Sequence, residues 1–442
     1  MPIRRLLQKF IADQNGNVAI ICAVAILPML VIAGGATDIA RHEAFRVQLQ
    51  DGVDRAVLAA ASLTQTRTVE QTVNDYLKTL PFIAAVTVQN TSKTTANSRE
   101  VTVSASYNMD TAFLPLIGIN AIMVNASATA TEKRSNIEIS LMLDISGSMR
   151  FREPASAPTR ISLLRPAARD FIDAMVTPQS SAYTSVSIVP YAGSVNPGAA
   201  VFNGMGVQRQ HNYSSCVEFA LNDYGVGLIQ FNQRGQVAHF TQNHQGVNEP
   251  GLEWAWCPYE ETAITYLSNN ATALKAKIDN MKMHDGTGTA IAMNWGMMLL
   301  EPAARPLVAQ AASAGMVPAQ FSNRPANFND PDTMKVIVLM TDGDISSQFR
   351  PITYAYPRTP AVSNYEAQTR NSARDKMYAV CDRAKNNGVV VFTIGFQLTA
   401  TGKTEMRTCA SSASHFYDVS GLDIASAFQS IATSIQKIRL TQ

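Results

Sequence analysis

Three short stretches place oxygen-bearing side chains where an ion could be held. Asp144-Ile145-Ser146-Gly147-Ser148 follows the apolar run NIEISLML, and Thr341-Asp342-Gly343 follows KVIVLM. Thr287 and Thr289 stand beside two glycines in DGTGTAIAMNWG, just ahead of a helical pattern. Asp, Ser and Gly are turn formers, so a plain turn is the competing reading of the first stretch. The presence of all three weighs against it. Asp144, Asp342, Ser146, Ser148 and Thr289 together supply two carboxylates and three hydroxyls. Such hard oxygen donors, completed by water, suit Mg²⁺, with Mn²⁺ and Ca²⁺ as alternatives. The alternation in D-x-S-x-S aims every second side chain at one point, and Gly147 relieves crowding at the bend.

These groups can converge only if their strands lie side by side. From Asn136 onwards, continuous apolar runs alternate with amphipathic ones. Strands are expected at 137–144, 184–192, 334–341, 389–396 and 415–420, and helices at 160–176, 261–283, 289–300, 366–388 and 422–438. Apolar strands alternating with helices mean a mostly parallel sheet covered on both faces. Ligands of such sheets bind at the carboxyl ends of the strands, where these motifs fall. Two polar or Pro-rich stretches, about 196–258 and 304–332, break the rhythm and read as insertions.

The stretches D-I-S-G-S, T-G-T-A-I and M-T-D-G resemble the three parts of the metal-ion-dependent adhesion site of von Willebrand factor A domains. The resemblance covers the chain from about Asn136 to its end. It implies a Rossmann-like α/β fold and a divalent ion surrounded by Asp144, Ser146, Ser148, Thr289 and Asp342, some of them through water. It also implies a protein partner whose acidic residue completes the coordination. One departure stands out: the middle motif commonly reads G-G-T, and here it is Thr287-Gly288-Thr289, so Thr287 competes with Thr289.

The N-terminal part is built differently. Asn17 to Ala36 carries no charge over about 20 residues, the length of a bilayer-crossing helix. Arg4, Arg5 and Lys9 precede it, and Arg41, Arg46 and Arg55 follow, so basic residues favour neither orientation. No small-residue cleavage site follows at once, against a signal peptide. Helical periodicity continues through Phe45, Leu49, Val53, Val57 and Ala60. A second helix is expected at 68–80, then Val/Thr/Ser-rich strands at 84–90, 99–109 and 122–132, the first two joined by a polar turn at 91–98. Gly16-Asn17, Asp38 with Arg41, and Leu49-Gln50 with Asp54-Arg55-Ala56 resemble the start of TadG-like proteins of tight-adherence (Flp) pilus systems. Those proteins pair such a start with a von Willebrand A domain, and FLPLIGINAIMVNASATA is similar to their segment ahead of it. Prepilin-like relatives carry Glu five residues beyond their cleavage Gly. Here Ile21 stands five beyond Gly16, so no prepilin-peptidase cleavage is expected.

Of five cysteines, Cys22 lies in the apolar span. The others fall as neighbours, Cys216 with Cys257 and Cys381 with Cys409, which suits two disulfides in an oxidising compartment. Four free thiols, or a zinc site using His239 and His244, are the alternatives, but zinc lacks the usual C-x-x-C spacing. Trp254 and Trp256 flank Cys257, either as packing around a disulfide or as anchors for a partner. The loop GFQLTATGKT has Gln397 where a nucleotide-binding loop needs Gly, so no nucleotide is expected. Net charge is only +2 with no basic stripe, so no nucleic acid is expected either. No general base or activated nucleophile accompanies the metal motif, and the chain reads as a non-enzyme.

The expected organisation is a cytoplasmic tail (1–16), a transmembrane helix (17–36), a pilin-like helix plus small sheet (37–135) and a von Willebrand A domain (136–442). The expected setting is the bacterial inner membrane, single-pass, with the bulk of the chain periplasmic. Implied by the resemblance is a role in assembling or anchoring a Flp pilus, alongside pilus-assembly components. The alternative is a cell-surface adhesin binding host or matrix ligands.

Overall fold

The computed structural model describes residues 16–95, 97–152, 155–242, 251–352, 364–420 and 423–441. Arg4, Arg5, Lys9, His244 and most of the expected cytoplasmic tail lie outside these. The chain divides into two compact units, one ending at Lys133 and the other beginning at Arg134.

In the first unit, helix α1 (Gly16–Ala61) runs through Pro28 without a break. Among the described residues it is long and apolar enough to cross a membrane. Its second half is amphipathic. Leu49, Val53, Ala56, Val57 and Ala60 recur at helical spacing and are buried against the sheet. Each such Leu or Val contributes ~1.5–3 kcal/mol by leaving water. Helix α2 (Val69–Leu77) starts at Thr68 with reciprocal bonds to Gln71, of 3.2 and 3.3 Å. Strands β1 (Val86–Thr94), β2 (Ser98–Asp110) and β3 (Ala121–Lys133) form an antiparallel meander. Val101, Val103, Ala105 and Val124 face α1, while hydroxyl pairs Thr102–Thr129 and Ser104–Ser127 bond across the other face at 2.8 and 2.9 Å. That alternation is what a half-solvated sheet demands. The polar turn expected at 91–98 is shorter than that: TSKT continues β1, because its backbone pairs with Arg99–Thr102.

The second unit opens with β4 (Asn136–Asp144), α3 (Arg160–Met175), β5 (Thr184–Tyr191) and α4 (Ala199–Gly204). Then come β6 (Leu252–Glu253), β7 (Thr265–Ser268), α5 (Ala271–Asn280), β8 (Met283–His284), α6 (Thr289–Met298) and α7 (Arg305–Ser313). Strands β9 (Thr333–Thr341), β10 (Gln348–Pro351) and β11 (Asn364–Gln368) precede α8 (Arg370–Asn386), and β12 (Val390–Phe396), α9 (Ala400–Cys409), β13 (Phe416–Val419) and α10 (Ile424–Thr441) complete it. The main sheet has the order β13-β12-β9-β4-β5-β7, parallel except for edge strand β7. One core packs α6, α7, α8 and α9 on one face, and a second packs α3, α5 and α10 on the other. Numbered within this sheet, the strands read 3-2-1-4-5-6, the doubly wound order whose direction reverses between β4 and β9. This is the Rossmann-like, doubly wound α/β architecture that the alternating strands and helices predict.

Two expected helices are shorter than read. Residues 261–283 split into β7, α5 and β8, because the Asn270 side chain accepts from Ala273 N (3.0 Å) and starts the helix there. Residues 366–388 split likewise: Thr369 accepts from Ser372 N (3.3 Å), and the residues before it pair in β11. The stretch 304–332 carries helix α7, whose Leu307, Val308 and Ala311 belong to the core. Helix α9 in TATGKTEMRTC was not anticipated; it starts at Thr399, whose side chain accepts from Gly402 N.

Candidate functional site

The sheet brings the first and third motifs together where its winding reverses. Asp144 ends β4, Asp342 follows β9, and the two strands are hydrogen-bonded neighbours. Both carboxylates are buried. Asp144 Oδ1 accepts the N–H of Ser146 (2.8 Å), and its Oδ2 accepts the Thr341 hydroxyl (2.7 Å). Ser148 Oγ donates to Asp342 Oδ1 (2.7 Å), with Ser146 Oγ 2.9 Å from Ser148 Oγ and 3.5 Å from the same carboxylate oxygen. Asp144, Ser146, Ser148 and Asp342 therefore form one hydrogen-bonded cluster.

The middle motif reaches the cluster through backbone. His284 N donates to Ile145 O (2.8 Å), which seats β8 beside the first loop, and Ser146 pairs with His284 as an isolated bridge. Gly288 N donates to Ala192 O, and a Cβ on Gly288 would fall 2.5 Å from Gly193 O. Only glycine permits that approach, so the glycine ahead of Thr289 is a packing requirement. Thr289 then opens α6 with its hydroxyl buried and, among the described residues, without a hydrogen-bond partner. The Tyr191 hydroxyl, bonded to Met340 O (2.9 Å), has the Thr341 and Thr289 hydroxyls as side-chain neighbours and feels both carboxylates electrostatically. The backbone O of the competing residue Thr287 accepts from Ser346 Oγ (2.7 Å).

The electrostatics are unbalanced. Burial, and then the neighbouring Asp342, push the Asp144 carboxyl up to about 7. Burial also raises Asp342, against the pull of Ser148 and Arg160. Arg160, the first residue of α3, donates from Nη1 to Asp342 Oδ2 (2.9 Å) and to Asp342 O (3.1 Å), and from Nε to Gln397 Oε1 (2.9 Å). Two buried carboxylates thus stand near one buried guanidinium, which pairs with Asp342. Neither Arg160 nor the Thr341 bond was foreseen. Thr341 sat in the motif but without a role, and Arg160 carries no local signal at all.

A divalent cation fits this donor set. The orphaned Thr289 hydroxyl costs about 1–3 kcal/mol unless something occupies it, and two carboxylates stand buried within one hydrogen-bonded cluster, where a cation would offset their charge. Among the described residues no group of three or more His, Cys, Asp or Glu side chains is gathered, so an ion here depends on the hydroxyls.

Around the site, the disulfide Cys216–Cys257 (Cα–Cα 5.9 Å) replaces both the free-thiol and zinc readings there. Trp256 is buried beside it, stacked on Phe240 at 5.6 Å, which is disulfide packing. The second disulfide, Cys381–Cys409 (Cα–Cα 5.2 Å), staples α8 to the end of α9.

Residues 16–63 match the family described as Flp pilus-assembly TadE/G-like. No curated protein matches the chain. Among solved structures, the pilus adhesin SpaC from Lactobacillus rhamnosus GG is 14% identical, over 80% of this chain and 35% of its own, with a TM-score of 0.35. The chain thus spans about a third of SpaC. The vWF domain of the type V pili tip protein Mfa5 from Porphyromonas gingivalis is 13% identical, over 69% of this chain and 97% of its own, with a TM-score of 0.37. Proximal thread matrix protein 1 from the mussel byssus, solved with a zinc-occupied MIDAS motif, is 11% identical, over 84% of this chain and 52% of its own, with a TM-score of 0.32.

Proposed function

We propose, from a TadE/G-like anchor joined in one chain to a von Willebrand A domain, a membrane-anchored component of Flp pilus assembly or anchoring. The N-terminal match ties the chain to pilus-associated proteins. The finer reading adds capture of a protein partner through a divalent ion held by Asp144, Ser146, Ser148, Thr289 and Asp342. The observation that carries it is the cluster at the reversal point: two buried carboxylates, hydroxyls already bonded to them, and one buried hydroxyl, that of Thr289, without a hydrogen-bond partner among the described residues.

Bound there, a divalent ion supplies positive charge and an open position for an acidic side chain of the partner. Arg160 holds the far oxygen of Asp342 and so orients the near one towards Ser146 and Ser148. Thr341 does the same for Asp144. The seating of β8 against Ile145 keeps the loop before Thr289 in register with both. Nothing in this set acts as a nucleophile, and the proposed action is binding. The placement that goes with it is the inner membrane, with the second unit periplasmic.

The test is a deletion strain complemented with the wild-type chain or with Asp144→Ala. Loss of pili with the variant still in the inner-membrane fraction supports the assembly reading. Normal pilus numbers, with the protein at the cell surface and adhesion to host matrix lost, would replace it with the adhesin reading.

A further inference from the structure

The first unit carries an apolar surface that partner capture leaves unused. Strands β2 and β3 are joined by residues 111–120, TAFLPLIGIN. Strand connections are ordinarily polar, because they face water. Here Leu116 is 61% and Ile117 55% exposed, and Phe113 and Ile119 are exposed as well.

This connection is firmly held. Asp38 of α1, itself buried, accepts the N–H groups of Ala112 (2.9 Å), Phe113 (2.8 Å) and Leu114 (3.0 Å). Phe113 presses on α1 at Gly34, where a Cβ would fall 2.3 Å from its Cγ, and Leu114 lies against Gly35. The glycine pair in the apolar span is therefore the seat of this loop.

Where the loop sits on α1 says what covers it. Asn17 to Ala36 is free of charge, and Asp38 is the first charged residue beyond it. Gly34 and Gly35 lie in the last turn of that run. A helix crossing a bilayer leaves the hydrocarbon at this level, and apolar side chains there meet acyl chains and headgroups. Leu30 on α1, one turn before Gly34 and on the same face, is exposed too, so the apolar surface of the loop continues that of the span. Backbone near hydrocarbon must have its polar groups bonded, which Asp38 accomplishes for three successive N–H groups.

We infer that residues 113–119 insert into the interfacial layer of the membrane beside α1, giving the first unit a second lipid contact. This inference rests on the membrane-anchored reading of α1. It makes Asp38 and Gly34 positioning residues for a lipid contact.

The experiment uses the full chain in liposomes of phosphatidylethanolamine and phosphatidylglycerol. Cys22→Ser removes the one cysteine outside the two disulfides. Nitroxides are then placed singly through Leu116→Cys, Ile117→Cys, Ile26→Cys within the span and Ser92→Cys on the exposed sheet. Collision with oxygen is compared with collision with a water-soluble nickel chelate. The expected result is an oxygen-to-nickel ratio at 116 and 117 several-fold above that at 92 and approaching that at 26. A ratio at 116 and 117 equal to that at 92, with 26 in lipid, overturns the loop contact and leaves the anchor standing. Nickel access at 26 overturns the anchor and the loop together. Exclusion of both reagents at 116 and 117 means protein covers the loop, and overturns the lipid contact.

Discussion

Strand β4 buries a carboxylate near each end, and the two have opposite surroundings. Glu138, near its start, pairs with the Lys335 ammonium, lies 3.9 Å from Arg324 Nε and accepts the N–H of Ala326 at 2.8 Å. Lys335 is itself completed by Leu300 O at 3.0 Å. Asp144, at the finish, has a second carboxylate beside it instead, and burial first, then that neighbour, pushes its carboxyl up to about 7. One strand thus carries a closed charge cluster at its amino end and an open one at its carboxyl end. A buried ion pair adds little net stability, yet removing one partner is severe. A buried like-charge pair is unfavourable in itself, and such perturbed groups mark functional sites. The Glu138 end is a paired structural cluster, and the Asp144 end is the one at which binding is proposed.

Substitutions at the two ends should have crossed effects. Asp144→Ala should abolish Mg²⁺ binding in a calorimetric titration, while the Tm of the metal-free protein falls less than in the Glu138 variant, since relief of the like charge offsets part of the two bonds lost from Ser146 N and the Thr341 hydroxyl. Unchanged Mg²⁺ affinity would break the comparison outright. Glu138→Ala should do the reverse, leaving Lys335 buried without its partner and lowering unfolding free energy by about 3–5 kcal/mol in urea. Mg²⁺ affinity of the folded variant should be unchanged, and a parallel loss would mean that the two ends are not separate.

Acid should weaken the carboxyl end through His284. Burial pushes its imidazole down to about 4, and its Nε2 accepts the N–H of Tyr259 at 3.2 Å. Below pH 6.5 the unfolded chain takes up a proton that the folded chain refuses. Stability contributed by neutral His284 is therefore present above pH 6.5 and lost as pH falls towards 4, by at most roughly 3 kcal/mol. A His284→Gln variant should show a flatter stability profile across that window, and an identical slope would remove His284 from the account. The smallest effect belongs to Thr289→Val. It keeps the shape and deletes the orphaned hydroxyl, so Mg²⁺ affinity should fall about tenfold, ~1.4 kcal/mol, with no loss of metal-free stability. A fall in metal-free stability would show that the hydroxyl has a structural partner instead.

Much of this was legible in the sequence because it is local. Apolar runs ending in Asp144 and Thr341 announce buried strands, and helical spacing from Leu49 to Ala60 announces the buried face of α1. The two cysteine pairs are neighbours along the chain and pair that way. Boundaries were less legible. Asn270 and Thr369 end one element and begin another by a single side-chain bond, which periodicity does not register. Least legible was Gly34, whose role depends on Phe113, far along the chain and in another element.

The residue types alone determined that hard oxygen donors stand at the ends of buried strands, since hydrophobic periodicity and side-chain chemistry are properties of short segments. Tertiary structure alone decided that Arg160 pairs with Asp342 while, among the described residues, Asp144 has no cation bonded to it and the Thr289 hydroxyl no hydrogen-bond partner. Coulomb and hydrogen-bonding energies depend on separation in space and on exclusion of water, and neither is set until strands distant in sequence lie side by side.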